Sequence, residues 1–432
     1  MNESTIFIKK NNKMKKFLLA ICIAIGYTGV GQCEDGRYQD LIFPSVSVES
    51  NILYGNNINY LGVDTDLSLD VYTPEGDIET LRPLIMFAHG GSFIGGSKTG
   101  PDVVPFCRDF ARMGYATASI QYRLGIPFTF ELELPATEAV VRGYHDMKGA
   151  IRYMRKTVAE DGNPHGIDSD KIYVVGVSAG GFIALHLAYM DDEAELPEIL
   201  DLTVEGLTGG LEGDSGNSGY SSEVNAIVNI CGAIGDAEWI NSDDEPVLSF
   251  HGPFDTVVPY GSEELYLFGS IPVLDVDGSA TISDRADEVG LLNCFEIYED
   301  QGHVPHVDNA QFYDTTRAIM SSFLSHLVCP EIVLDCEYSE VIDLSISSVS
   351  HGDKFEIYPN PTSELLIINF PVASETSEIR IVDALGREVE RLSISPLSKS
   401  TELNVSAFKE GYYTCLWIKE GQVEKRKLLI MR

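Results

Sequence analysis

Ser178 sits in a run of small residues, Gly176-Val177-Ser178-Ala179-Gly180-Gly181. A serine hydroxyl is a poor nucleophile at neutral pH. It needs a base to take its proton, a carboxylate to hold that base, and donors for the oxyanion formed when it attacks a carbonyl. Asp255 stands in His251-Gly252-Pro253-Phe254-Asp255, and His303 follows in Gln301-Gly302-His303. These supply a carboxylate and a base in the chain order Ser, Asp, His. The N–H of Ala179 and those of Gly91 and Ser92, in the turn His89-Gly90-Gly91-Ser92-Phe93, are the candidate oxyanion donors. One such donor, well placed, lowers a barrier by about 2.7–4 kcal/mol. The chemistry is acyl transfer through an acyl-enzyme, and it calls for no cofactor and no metal. Two rivals stand beside these choices: His306 as base, and Asp236 as acid after an earlier strand. His251 reads as structural, and His89 as a residue that shapes the oxyanion turn.

For these groups to meet, each must lie at the end of a strand. Ile172-Tyr173-Val174-Val175 is a β-branched strand ahead of Ser178, and Phe182 to Met190 is apolar nearly all round, as a helix buried on a sheet would be. Strand, sharp turn and helix give the G-x-S-x-G pentapeptide its structural meaning. Pro83 to Ala88 is a continuous apolar run typical of a central strand, and it delivers the glycine turn. Further strands are expected at 67–72, 115–122, 224–230, 246–250 and 294–298. Val140, Tyr144, Met147, Ile151, Met154 and Val158 recur on one face of a helix over 136–160. Alternating strands and helices imply a doubly wound, mostly parallel sheet of the α/β class. Residues 191–222 begin acidic and end rich in Gly and Ser. They read as a solvated insertion, with a lid over the site as the alternative. Asp275-Val276-Asp277-Gly278 looks faintly like a calcium loop, but a solvated turn is the better reading.

The chain of 432 residues has room for one large domain and a smaller one. Its net charge of −36 argues against nucleic acid and against docking on an anionic membrane. Five lysines between Lys9 and Lys16 precede an apolar run from Phe17 to about Val30, which reads as a secretory signal over residues 1–31. Lipid attachment at Cys33 is a lesser option, because Gln32 is large. Seven cysteines remain after the signal, and an odd number leaves at least one free thiol. Cys329 and Cys336 are near enough in sequence to pair, and Cys33 could reach either. No spacing resembles a zinc ligand set.

After Pro330 the texture changes. Residues 331–353 are rich in Ser, Glu and Asp and read as a linker between a domain at 33–330 and one at 354–432. In the latter, Leu365 to Phe370, Ile379 to Asp383 and Tyr412 to Ile418 are short alternating runs, a small β-sandwich pattern.

The HGGSF turn, Tyr122-Arg123-Leu124, GVSAG, the HGPFDTVVP segment and the closing Gly302-His303 together resemble the α/β-hydrolase esterases over about residues 60–328. The resemblance is to the hormone-sensitive-lipase-like and carbohydrate-esterase-like branch. It implies a serine carboxylic-ester hydrolase, acting on acyl esters of polysaccharides (acetyl or feruloyl) or on small lipid esters. Ser92, where many relatives have a third glycine, and Val177, where they often carry an acid, depart from the pattern. No helical cap of the hormone-sensitive-lipase type precedes the domain. YPNPTSELLIINF, DALGREV and the basic KRKLLIMR ending resemble the C-terminal sorting domain of the type IX secretion system of Bacteroidetes. That implies a secreted or surface-attached protein that meets the secretion machinery, with no transmembrane segment once mature. The alternatives are a serine peptidase on the same fold, and a non-catalytic surface-binding protein on a hydrolase scaffold.

Overall fold

The computed structural model describes residues 33, 35–127, 129 and 131–336. Between 355 and 431 it describes all but 359, 361, 364, 370–376, 384–386, 397, 420 and 421. The expected signal at 1–31 and most of the expected linker lie outside the described residues. Contacts divide the chain into two units, Met1–Ser339 and Glu340–Arg432. Among the described residues, no helix is long and apolar enough to cross a membrane.

The first unit is organised on a strand series whose sequence is buried on both sides. Its strands are β1 (Val46–Ile58), β2 (Asp64–Pro74), β3 (Arg82–Ala88), β4 (Ala116–Gln121), β5 (Ile167–Val177), β6 (Ala226–Ile230), β7 (Ala233–Ile234), β8 (Val247–His251), β9 (Ser262–Leu267), β10 (Ile271–Gly278) and β11 (Asn293–Ile297). Eight of them form one sheet in the order β1-β2-β4-β3-β5-β6-β8-β11. β1 and β2 join it antiparallel, and from β4 to β11 every pairing is parallel. This is the expected α/β-hydrolase arrangement.

The helices are α1 (Val104–Arg112), α2 (Glu133–Glu160), α3 (Ala179–Tyr189), α4 (Ser279–Val289) and α5 (Ala310–Val328). Successive strand residues face opposite sides. Leu84, Met86, Ile172 and Val174 therefore enter one core with α2, α3 and α4, while Ile85, Phe87, Tyr173 and Val175 enter the other with α1 and α5.

Three expectations change here. Residues 206–217 are not a solvated insertion. The ion pair of Arg123 and Asp146, with side chains 0% exposed, reaches out to that segment. Arg123 Nη1 donates to Gly206 O at 2.7 Å, and Ser215 Oγ donates to Asp146 Oδ1 at 2.6 Å. A buried charge pair needs such additional partners, and the segment supplies them. Asp275 and Asp277 lie in β10 rather than in a turn, and Asp277 accepts the N–H of Ala237 at 2.8 Å. Cys329 pairs with Cys33, one of the two partners left open for that cysteine, and Cys336 pairs with Cys294, so Cys329 and Cys336 are not joined to each other. Sequence proximity misled because Cys329, just past the end of α5, lies against Cys33, whereas Cys336 returns to β11. The second bridge ties the first residues of the expected linker to the sheet. The first bridge uses the thiol that a lipid on Cys33 would need. Cys107, Cys231 and Cys415 are free.

In the second unit β12 (Glu356–Tyr358), β13 (Leu365–Asn369) and β16 (Ser400–Asn404) form one antiparallel sheet. β14 (Ser377–Asp383), β15 (Glu388–Ile394), β17 (Gly411–Lys419) and β18 (Gln422–Ile430) form a second. Leu366, Ile368, Ile379, Ile381, Cys415, Trp417 and Leu428 make a common core, the alternating inward residues of a sandwich.

Candidate active site

Ser178 stands between β5 and α3 with φ 55° and ψ −116°, in the left-handed half of the map, which a serine enters only at a cost. The turn is closed by Ser178 N–H donating to Ile230 O at 2.8 Å and by Gly181 N–H donating to Ser178 O at 2.7 Å. A Cβ on Gly176 would overlap the carbonyl of Gly180, and one on Gly180 would overlap that of Ala88. The small residues around the serine are thus a packing requirement of the turn. The result sets Oγ above the sheet, at the start of α3, where the helix dipole is positive.

His303 lies on the loop after β11. Its Nε2 is 2.8 Å from Ser178 Oγ and its Nδ1 is 2.6 Å from Asp255 Oδ2. Asp255 lies on the loop after β8, with a side chain 0% exposed. Its Oδ1 accepts the N–H groups of Val257 and Val258 at 2.8 and 3.0 Å. Burial opposes ionisation of this carboxyl. Hydrogen bonds from His251 and His303 outweigh it and hold the group well below the usual carboxylate range. The three residues expected to act together are therefore joined in series. The rivals are elsewhere. Asp236 is exposed and caps a short 3-10 turn by accepting the N–H of Glu238. His306 is buried against Phe106, and burial lowers its imidazole to about 4.

His251 has more than the structural part expected of it. Its Nε2 is 3.2 Å from Asp255 Oδ2, so the carboxylate oxygen held by His303 meets a second imidazole. Its Nδ1 is 2.8 Å from Ser279 Oγ, which accepts from Asn229 Nδ2 at 3.0 Å. The signal available in the sequence was the spacing of four residues between His251 and Asp255, but spacing alone does not say that the loop turns back.

Gly91, Ser92 and Phe93 all have positive φ, at 121°, 53° and 56°, which coils the oxyanion turn tightly. Gly90 N–H is engaged, donating to Asp102 Oδ2 at 2.7 Å. Among the described residues no protein acceptor takes the N–H of Gly91, Ser92 or Ala179. His89 stacks on Tyr122 with ring centroids 4.4 Å apart and shapes the turn from below.

From Ser178 a cavity of about 540 Å³ opens. Val141 of α2, Phe182 of α3 and Trp239 line it, together with Pro197, Ile199 and Leu200. Its roof is the β9–β10 hairpin, through Leu265, Leu267, Val273 and Leu274. The sequence reading placed a possible lid at 191–222. The structure gives only the first part of that segment to the wall, and the hairpin to the roof.

Two family models match the chain. Residues 69–236 match the BD-FAE family model, and residues 356–431 match the secretion system C-terminal sorting domain. The chain carries a BD-FAE domain. The BD-FAE match includes the glycine turn and Ser178 but stops short of Asp255 and His303, whose grouping rests on the structure. The chain is 31% identical over 150 residues to a non-reducing polyketide synthase of Stereocaulon alpinum, covering 34% of this chain and 6% of that protein. It is 32% identical over 126 residues to carboxylesterase 3B of Mus musculus, covering 28% and 20% respectively. The chain thus spans well under half the length of these curated relatives. A solved structure of Thermogutta terrifontis esterase 2 phosphorylated by paraoxon is 22% identical, with a TM-score of 0.47, covering 66% of this chain and 95% of that one. The BD-FAE domain is followed by a sorting domain that marks the chain for type IX export.

Proposed function

We propose that the protein is an exported serine carboxylic-ester hydrolase with Ser178, Asp255 and His303 as its catalytic triad. The observation that carries this is the unbroken series of hydrogen bonds from Asp255 Oδ2 through His303 to Ser178 Oγ. In the reaction Oγ attacks the ester carbonyl while His303 Nε2 takes its proton and Asp255 holds the Nδ1–H. The oxyanion lodges against the N–H groups of Ala179, Gly91 and Ser92. The alcohol leaves with the proton from His303, and water, deprotonated by the same imidazole, frees the acid. Residues 1–31 serve as export signal, 33–330 as the catalytic domain, 331–353 as linker and 354–432 as sorting domain.

The apolar cavity favours an ester whose acyl part is larger than acetyl, such as a feruloyl group on a polysaccharide or a short aliphatic chain. Each buried CH₂ contributes about 0.8 kcal/mol. Going from acetate to hexanoate then raises kcat/KM by at least tenfold. A panel of p-nitrophenyl esters with methyl ferulate measures this, and a maximum at acetate would sink the acyl assignment. The catalytic assignment is tested separately. A fluorophosphonate probe should label the protein and fail to label Ser178→Ala of unchanged thermal midpoint. Cleavage of a peptide amide at a rate exceeding every ester would point to a peptidase instead.

A further inference from the structure

Beneath the His303–Asp255 pair lies a thiol that ester hydrolysis does not use. Cys231 follows directly on β6, is free of any disulfide and is 0% exposed. Its N–H donates to Phe250 O at 2.8 Å, which anchors it to the end of β8. One donor atom from each of Cys231, Asp255 and His303 lies within 4.8 Å of the other two. Burial, and then the charge of Asp255, push this thiol well above its usual range, and the backbone N–H groups of Val304 and Gly252 that face the sulfur offset only part of that, so it is the geometry of the three donors that recommends the site. Among the described residues one other such grouping exists, Cys33, Cys329 and Glu331, but its two sulfurs are spent on a disulfide.

We propose that Cys231, Asp255 and His303 form a capture site for a thiophilic divalent cation, with Zn²⁺ as the test case, and that filling it reversibly silences Ser178. Thiolate, imidazole nitrogen and carboxylate oxygen are the ligand types that zinc selects. The thiolate and carboxylate carry two negative charges, so a divalent ion leaves the buried cluster neutral. A monovalent or trivalent ion would leave a net charge away from water, which is expensive. Zinc holds such donors at about 2.0–2.3 Å, so the three atoms must draw together by up to about 1 Å. His303 is the member able to move. It stands on a loop, and its side chain is 17% exposed, which also gives the ion its way in from solvent.

The proton balance explains the loss of activity. Cys231 gives its S–H proton to solvent as the sulfur–metal bond forms. His303 binds through Nδ1, the nitrogen on the Asp255 side, so its hydrogen bond to Oδ2 breaks. The Nδ1 proton leaves to solvent and Nε2 takes one from solvent, so the imidazole stays neutral as the other tautomer and the net release is the single Cys231 proton. Nε2 then points an N–H at Ser178 Oγ, and the lone pair that would receive the serine proton is gone. A water completes the four-coordinate shell. The effect on hydrolysis rests on the proposed esterase reading, whereas the ligand set does not.

The test therefore has two arms, both on the full chain. Titration with Co²⁺ should raise a sulfur-to-cobalt charge-transfer band that saturates at one ion per chain. The band should vanish in Cys231→Ser and persist in Cys107→Ser. In the second arm Zn²⁺ should inhibit ester hydrolysis, with EDTA restoring it. The midpoint of inhibition should rise at least tenfold in both Cys231→Ser and Cys231→Ala, whose metal-free kcat/KM should stay within about twofold of the parent. Equal zinc sensitivity of the parent and the Cys231 variants overturns the proposal, as does a cobalt band unchanged by Cys231→Ser. Absence of any band in the parent up to millimolar Co²⁺ also overturns it. A protein that shows the band yet cleaves no ester upholds the metal site and sinks the esterase reading.

Discussion

Ser178, Asp255 and His303 follow the carboxyl ends of β5, β8 and β11, parallel strands packed into one sheet between two helical layers. Leu265, Leu267, Val273 and Leu274 face the same cavity from the β9–β10 hairpin, where Phe268 at the tip is 69% exposed. The floor is held by ladder hydrogen bonds on both sides of each inner strand. The hairpin joins the body through β7 at two residue pairs, Asp277 with Ile234 and Gly278 with Ala233. This difference teaches a division of labour. Reacting atoms need positions fixed to within a fraction of an ångström, and a buried parallel sheet provides that. An acyl pocket needs only apolar surface of about the right size, and a hairpin on the periphery can supply it and vary.

The comparison can be broken at several points. Asp255→Asn removes the carboxylate that orients His303, so kcat should fall by about 10³–10⁴-fold with KM little changed. Steady-state kinetics would show it, and a loss under tenfold would mean that another group holds the imidazole. His251→Asn should act through Asp255. The carboxylate loses one charge-assisted hydrogen bond, and kcat should drop roughly tenfold or more. His251→Gln should recover part of the loss if its amide reaches the same oxygen. A KM effect alone would reduce His251 to packing.

At the roof, Leu265→Ala with Val273→Ala should lower kcat/KM for the hexanoate ester about tenfold while leaving the acetate ester within twofold. Equal loss on both esters would show that the hairpin supports the floor rather than selecting the acyl group. The smallest effect is on stability. His145, His186 and His306 are buried, and burial lowers each to about 4. Between that value and their ordinary 6.5 the unfolded chain binds more protons. Stability is therefore complete above pH 6.5 and declines as pH falls toward 4, by on the order of 1–3 kcal/mol per residue. Thermal midpoints measured from pH 7 to 4 should fall over that window. His186→Gln should flatten the slope, since an amide can still donate to Phe182 O and has no titration there.

Much of the floor was legible because its cues are local. The glycines round Ser178, the strand ahead of it and the apolar helix behind it lie within one short stretch. The β9–β10 hairpin was missed because Ser262 to Leu267 mixes Glu263 and Glu264 with apolar residues, which resembles a loop. Both glutamates are exposed, and Glu264 stands with Leu265 and Leu267 among the residues that line the cavity. The Gly/Ser-rich segment near 209–222 was misjudged for a related reason. Composition reports polarity, but only the position of Arg123 and Asp146 shows that its carbonyls and hydroxyls satisfy a buried ion pair.

The two-unit organisation, the doubly wound α/β class, the strained serine turn and the acidic character of the chain were determined by the sequence itself. They follow from periodicity, residue size and charge, which act over a few positions or over the whole chain. Tertiary structure alone decided which histidine sits against Ser178, that Asp255 rather than Asp236 faces it, and that His251 touches the same carboxylate. It also decided how the cysteines pair and that Cys231 lies beside the triad. His303 is 125 residues from Ser178 and 48 from Asp255. Contacts across such separations depend on how strand ends converge in the folded sheet, and no local preference encodes that convergence.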